Sequence, residues 1–422
     1  MSARRAAAAL LVAVENGSAL DDALTQTPPY DALEGRDRAF ARALAAETLR
    51  WQGALDAVLS HFLQKPLPDS AAHARALLRL GAVQILVMGT PAHAAVGETV
   101  QTANATPEAR GFAKLMNAVL RRVSERGGAI LADLPEGAHL PAWLFTRWRA
   151  AYGERAGAIA MATLNPAPLD LSVKSDAAGW AEKLGGIVTP TGSVRLHAHE
   201  RVETLPGFDE GAWWVQDAAA ALPAKLLGDV AGKRVLDLCA APGGKTLQLA
   251  AAGALVTAVD KSAARLARLR ENLARTQLRA EVIAADALTF RAEPFDAVLL
   301  DAPCSSTGTL RRHPDVAWLR RPTDIRALAD LQAKLIGAAA ALLKPGAPLV
   351  YAVCSLEPEE GPGARLARNP DWISAPLQPG EIAGADAFLT PEGALRTLPA
   401  HWASQGGLDG FYAVRVLRSS VG

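Results

Sequence analysis

Apolar residues recur at three- and four-residue intervals through the first third of the chain. The runs are Leu10, Leu11 and Val14; Leu44, Trp51, Leu55 and Leu59; Leu77, Leu78, Leu80, Val83 and Ile85; then Phe112, Leu115, Val119 and Leu120. That spacing lays apolar side chains along one side of a helix. Pro28-Pro29, Pro66, Pro68, Gly89 and Pro91 fall between the runs, where helices stop. Residues 1–140 are therefore predicted to be helical throughout. The pattern changes near Pro141. Residues 141–210 predict a small α/β piece: a helix from Trp143 to Tyr152, a strand in LDLSVK, a helix around residues 177–184 and a strand in SVRLH.

From residue 211 to 422 strands and helices alternate. VLDLC precedes a helix from Gly244, and LVTAVD precedes a helix from Ser262. EVIAAD and FDAVLLD come next, then a long helix over residues 324–343, and then LVYAVCS. Near-continuous apolar strands separated by helices predict a parallel sheet covered on both faces, a doubly wound, Rossmann-like α/β domain. FYAVRVL, with no crossover helix just before it, is expected to close the sheet as an antiparallel edge strand.

Composition narrows the possibilities. The 422 residues carry 44 Lys+Arg against 43 Asp+Glu, a net charge of +1, with mean hydropathy +0.11 and half of all residues apolar. Disordered and fibrous classes are excluded, and any nucleic-acid surface must be local. The helical third is itself neutral, and its basic run Arg121, Arg122 and Arg126 closes the last helix. Cys239, Cys304 and Cys354 show no Cys-x-x-Cys spacing, so neither a zinc site nor a disulfide framework is expected, and a reducing cytoplasm suits them. The Ala-rich start after Arg4-Arg5 is too short and too soon interrupted by Glu15 for a signal peptide, and no apolar run is long enough to span a membrane.

Ligands of doubly wound sheets bind where strand ends open onto glycine-bearing loops. The first such loop is Cys239-Ala240-Ala241-Pro242-Gly243-Gly244-Lys245-Thr246. A phosphate-binding P-loop would need glycine where Cys239 stands, and a dinucleotide fingerprint would need three spaced glycines. S-adenosylmethionine carries no phosphate; it needs a close backbone approach and a carboxylate on the next strand. Asp260 ends that strand, where it can accept from both ribose hydroxyls; Asp286 ends the third strand, within reach of an adenine amino group; Asp301 ends the fourth. Three aspartates in succession at strand ends favour this cofactor over separate helix caps.

Cys304, in DAPCSSTG, and Cys354, in AVCSLEPEE, follow adjacent predicted strands and should face the same pocket. Pyrimidine C5 is too weak a nucleophile to accept a methyl group unaided. A thiolate that adds to C6 makes C5 enamine-like; a base then takes the C5 proton and the thiolate departs. An acid such as Asp301 at the pyrimidine edge can polarise the ring. These residues alone leave open which cysteine attacks. Cys239, inside the first strand, is expected to be packing.

LDLCAAPGGKT, AVDKSAARLARLRENLAR, FDAVLLDAPCSSTGTLRRHPDVAW, LLKPGAPLVYAVCSLEPEE, WWVQDAAA and LDGFYAVRV together resemble the bacterial Sun/Fmu-type 16S ribosomal RNA cytosine-C5 methyltransferases over nearly the whole chain. LLRLGAVQILVM, PAHAAVGETV and LMNAVLRRV resemble the NusB-like helical RNA-binding domain of that family. The resemblance implies a NusB-like domain over 1–140, a connecting subdomain over 141–210 and an S-adenosylmethionine-dependent methyltransferase domain over 211–422. It implies that Cys354 attacks the cytosine, that Cys304 assists release, and that residues 239–245 with Asp260, Asp286 and Asp301 hold S-adenosylmethionine. Val353 stands where the family has Thr, and Gly361 where Asn is common; neither removes a reacting group. Arg311, Arg312, Arg320 and Arg321, with His313, form the densest basic cluster and are expected to touch RNA phosphates. Small-subunit ribosomal RNA is the implied substrate of a monomeric, metal-free enzyme. A transfer RNA cytosine methyltransferase and a non-catalytic assembly factor are the alternatives.

Overall fold

A computed structural model describes residues 2–196 and 201–420. His197, the last residue of the predicted strand SVRLH, lies outside the described residues. The chain forms two compact units: Met1–Asn165 with Leu310–Pro322, and Pro166–Thr309 with Thr323–Gly422. The division falls after Asn165, later than the change of pattern at Pro141, because helices Ala142–Tyr152 and Arg155–Thr163 stay with the helical unit.

In the first unit, helices Ala3–Glu15, Gly35–Ser60, Ala72–Leu86, Ala92–Ala105 and Ala113–Arg122 share one apolar core. Leu10, Leu44, Leu55, Leu77 and Leu120 are fully buried in it, each stabilising the unit by roughly 1.5–3 kcal/mol. Gly81 permits a close crossing, since a Cβ there would come within 2.5 Å of Leu120. Residues 310–322 pack into the same unit. The buried Arg50 guanidinium donates to Thr163 O (2.8 Å) and Arg311 O (3.1 Å), Leu20 N–H donates to Asp315 Oδ2 (2.9 Å), and Trp318 Nε1 donates to Leu49 O (2.8 Å). Arg311 is only 1% exposed, so the expectation that its side chain meets RNA phosphates is corrected. Arg312 and Arg320 are half-buried and Arg321 is exposed.

The second unit holds two sheets. The smaller joins β1 (Leu169–Val173), β2 (Ile187–Val188), β3 (Val194–Leu196) and β4 (Trp213–Val215) in the order β2-β3-β1-β4, all antiparallel. Arg195 on β3 makes a bidentate pair with Asp170 on β1 (2.7 Å to each oxygen), and both side chains are fully buried. Such a pair is worth little against an apolar replacement, but removing one partner strands a buried charge.

The larger sheet contains β5 (Arg234–Leu238), β6 (Leu255–Asp260), β7 (Glu281–Ala284), β8 (Ala297–Asp301), β9 (Pro348–Val353), β10 (Trp372–Ser374), β11 (Leu395–Arg396) and β12 (Tyr412–Arg418). Its order is β10-β12-β9-β8-β5-β6-β7, with β11 also paired to β12. Strands β5 to β9 are parallel, buried by Leu335, Ile336 and Ala339 of the long helix Pro322–Ala341 on one face and by Leu222, Leu226 and Leu249 on the other. β12 is antiparallel to β9, as its sequence predicts, but it is not the edge: β10 pairs with its far side. The three-residue WIS run is too short to announce a strand by its own pattern. The chain runs from β5 outward to β6 and β7, then returns to β8 and β9 on the other side of β5. That reversal opens a crevice at the carboxyl ends of β5 and β8.

Candidate active site

The loop after β5 owes its shape to two residues with positive φ. Cys239 has φ +61° and Gly243 has φ +109°. Only glycine fits at 243, because a Cβ would stand 2.2 Å from Leu269 Cδ1. Helix Gly244–Ala251 starts there and carries Lys245 and Thr246 in its first turn. Asp260, at the end of β6, ties the loop down: its Oδ2 accepts from Ala241 N–H (3.1 Å) and its Oδ1 from Ser262 N–H (2.8 Å). Asp237 on β5 is fully buried. Burial pushes its carboxyl up to about 7, against a 2.6 Å hydrogen bond from Thr246 Oγ1, while its Oδ1 has no partner among the described residues. Burial, with the charges of Asp260 and Asp301, pushes the Cys239 thiol up to about 12, so it stays protonated and inert.

Lys245 reaches across to Asp301 at the end of β8, Nζ to Oδ2 2.7 Å. Burial opposes the charge on Lys245, but Asp301 outweighs it and holds the ammonium above its ordinary value. The ammonium also lies 5.2 Å from the Phe411 ring centroid. Asp286 is exposed two residues beyond β7, where its Oδ1 accepts from Leu288 N–H (2.9 Å). The strand ends here carry the carboxylates of Asp260, Asp286 and Asp301, of which Asp260 meets Arg265 and Asp301 meets Lys245. A phosphate would be repelled, whereas hydroxyls, an amine and a positively charged sulfonium are suited to these carboxylates. The donor set fits S-adenosylmethionine.

The two predicted cysteines meet. Cys304 follows β8, Cys354 follows β9, and their sulfurs are 3.3 Å apart. A hydrogen bond from Cys304 holds the Cys354 thiol below its ordinary value despite burial and Asp301, helped by Ser306 and Lys245. Cys304 is pushed well up by the same hydrogen bond, by burial and by the charge on its partner. Both directions favour ionisation of Cys354 over Cys304, which is what a nucleophile needs.

A buried carboxylate that motif reading alone did not single out fixes both cysteine loops. Glu360 Oε1 accepts from Ser305 N–H (2.9 Å) and Gln332 Nε2 (2.8 Å), and its Oε2 accepts from the Ser305 and Ser355 hydroxyls. Gln332 also donates to Pro303 O (3.0 Å), and Gly308 N–H donates to Cys354 O (3.1 Å). The available signal was the serine after each cysteine. Among the described residues no His, Cys, Asp or Glu cluster could hold a metal, and no helix is long and apolar enough to cross a membrane.

Two family descriptions match the chain: 16S rRNA methyltransferase RsmB/F over residues 224–416, and the NusB family over residues 1–125. The chain is 40% identical to the ribosomal RNA small subunit methyltransferase B of Pseudomonas putida, over 99% of both chains. It is 38% identical to that of Xanthomonas campestris pv. campestris, over 100% of this chain and 98% of the relative. The crystal structure of PH0851 shares the fold across 98% of both chains, with TM-score 0.74 and 22% identity.

Proposed function

The chain belongs to the small-subunit ribosomal RNA methyltransferase B family, and from that premise we propose how its own residues divide the work. The activity is methylation of C5 of a cytosine in 16S ribosomal RNA, with S-adenosylmethionine supplying the methyl group on a positively charged sulfur. Residues 239–245 and Asp260 would hold that cofactor, with Asp286 at the adenine end; Asp301 lies where loop and cysteines converge.

The 3.3 Å sulfur pair beside the Lys245–Asp301 ion pair carries the assignment. Cys354, as thiolate, forms a bond to C6 of the cytosine and makes C5 nucleophilic. Asp301, held by Lys245, accepts a hydrogen bond from the exocyclic amine at the pyrimidine edge, and the Lys245 ammonium favours the negative charge that develops on the ring. After C5 has gained its methyl group, Cys304 yields its own proton to water and, as thiolate, accepts the C5 proton; the C5–H electron pair rebuilds the C5=C6 double bond, and the bond from Cys354 to C6 breaks with its pair returning to sulfur. Once Cys354 is bonded to carbon it no longer bears charge, so two of the causes that keep the Cys304 proton in place vanish. Cys304 then becomes easier to ionise at the step that needs a base. The cytosine must be flipped or already unpaired to reach this pair. Arg312, Arg320 and Arg321 are the proposed phosphate contacts. The enzyme is proposed to act as a cytoplasmic monomer.

Cys304→Ala and Cys354→Ala proteins, mixed with S-adenosylmethionine and labelled unmodified 16S ribosomal RNA, test the roles on a denaturing gel. A slow-migrating adduct with Cys304→Ala and none with Cys354→Ala is expected. An adduct confined to Cys354→Ala would reverse the roles.

A further inference from the structure

Ser306 sits where its side chain has a conformational cost. Its φ is +60°, in the left-handed region that glycine occupies freely and an L-residue occupies at a penalty. The loop around it over-determines that geometry. Ser306 O accepts from Thr309 N–H (3.0 Å) and Thr309 Oγ1 (2.9 Å). Gly308 is pinned against Gly410, whose N–H donates to Gly308 O (2.8 Å); a Cβ on Gly308 would stand 1.9 Å from Gly410 O. Ser305 N–H is held by Glu360 (2.9 Å). The conformation would be easier with glycine at 306, so the hydroxyl calls for its own explanation.

That hydroxyl completes a triangle with the two sulfurs. Ser306 Oγ is 3.6 Å from Cys354 Sγ and 3.9 Å from Cys304 Sγ, and the sulfurs are 3.3 Å apart. Both distances are within hydrogen-bonding range of sulfur: the protonated Cys354 thiol donates to Ser306 Oγ, and once that proton is lost the hydroxyl is the member of the pair that still carries a hydrogen to donate. Ser306 is half-buried, so its hydroxyl works where water competes poorly. We propose that Ser306 is a further catalytic residue, whose hydroxyl donates to the Cys354 thiolate and sets the fraction of enzyme that carries it.

The proposal rests on Cys354 being the nucleophile. Other groups bear on that sulfur too. Cys304, from the loop after β8, donates to it; Lys245, from helix Gly244–Ala251, favours its charge; and Asp301, at the end of β8, opposes it. Glu360, from the loop after β9, acts on Cys304. Ser306 is the hydroxyl within reach of both sulfurs that carries no charge of its own, so its removal leaves the net charge of the site unchanged. One charge-assisted hydrogen bond lost from a thiolate raises the thiol pKa by about one unit, or about ten-fold in thiolate on the acid side.

The test compares Ser306→Ala and Ser306→Gly with the parent enzyme; the glycine variant relieves the backbone while removing the hydroxyl, which guards against a misfolded loop. Two readouts are taken across pH: iodoacetamide alkylation of Cys354, followed by peptide mass spectrometry without RNA, and methyl transfer to unmodified 16S ribosomal RNA. Both variants should show the Cys354 alkylation profile moved up by about one unit. Their methyl transfer should be about ten-fold slower on the acid limb and should approach the parent rate at high pH. An unmoved alkylation profile, or a loss of transfer equal at every pH, would overturn the role of Ser306. Failure of the underlying assignment is told apart by the adduct experiment, which identifies the attacking cysteine whatever residue stands at 306.

Discussion

Glu360→Gln isolates the network that holds the two cysteine loops. The isosteric amide keeps a carbonyl oxygen for Ser305 N–H and Gln332 Nε2, which now bond Oε1 at 2.9 and 2.8 Å. It replaces Oε2, which accepts two hydroxyl hydrogens, with an NH2 group that can accept none. Both hydroxyls must then turn. Ser305 Oγ and Ser355 Oγ are 2.9 Å apart, so one hydrogen can lie between them. Thr307 Oγ1, at 3.4 Å from Ser305 Oγ and 3.5 Å from Ser355 Oγ, is a poor replacement for the carboxylate oxygen as acceptor of the second hydrogen. Exchanging two carboxylate-accepted bonds, worth about 1.5–3 kcal/mol each, for one neutral bond worth about 1 kcal/mol costs about 2–5 kcal/mol. Urea unfolding of the full chain, followed by tryptophan fluorescence, reads this as an earlier transition. The same variant should transfer methyl groups more slowly, because the segments carrying both sulfurs are no longer clamped. Stability within about 0.5 kcal/mol of the parent, with unchanged turnover, would refute this accounting.

Two further outcomes follow from the cofactor loop. Asp237, whose folded carboxyl titrates near 7 because of burial, binds a proton more tightly folded than unfolded; its contribution is fully present below about pH 4 and is lost as pH rises through 7. Asp237→Asn, which keeps an acceptor for Thr246, should match the parent near pH 4 and exceed it by about 4 kcal/mol at pH 8 in pH-dependent unfolding, and equal slopes would defeat the idea. Gly243→Ala should abolish S-adenosylmethionine binding in calorimetry and cost roughly 2–4 kcal/mol of stability, through backbone strain and the clash with Leu269. Gly244→Ala, whose Cβ would meet only Gln216 at 3.5 Å, should fold normally; equal tolerance at both positions would show that the left-handed turn is dispensable.

Periodicity made much of this protein legible. The helical runs, the strands and the meeting of Cys304 with Cys354 all follow from local pattern plus the rule that strand ends gather in a parallel sheet. What escaped depends on contacts between distant positions. The RRHPD run reads as a solvated basic cluster, yet Arg311 is enclosed because its backbone is drawn into the helical unit by Arg50, 261 residues away. Lys245 in GGKT invites comparison with phosphate loops, and only its 2.7 Å contact with Asp301 shows that a carboxylate is its partner. Glu360 looks like a surface acid in a run of acids; its burial is set by serines on two separate loops.

The passage of residues 310–322 into the helical unit makes the chain a poor candidate for modular cutting. A polypeptide that leaves one body, threads through another and returns has no single hinge at which the halves can be parted. Removing residues 1–165 would leave Trp318 and Leu319 without the apolar surroundings they pack against, and the carbonyls of Leu310 and Arg311 without Arg50. A catalytic fragment cut from this chain would expose those groups over 310–322 unless that stretch were redesigned.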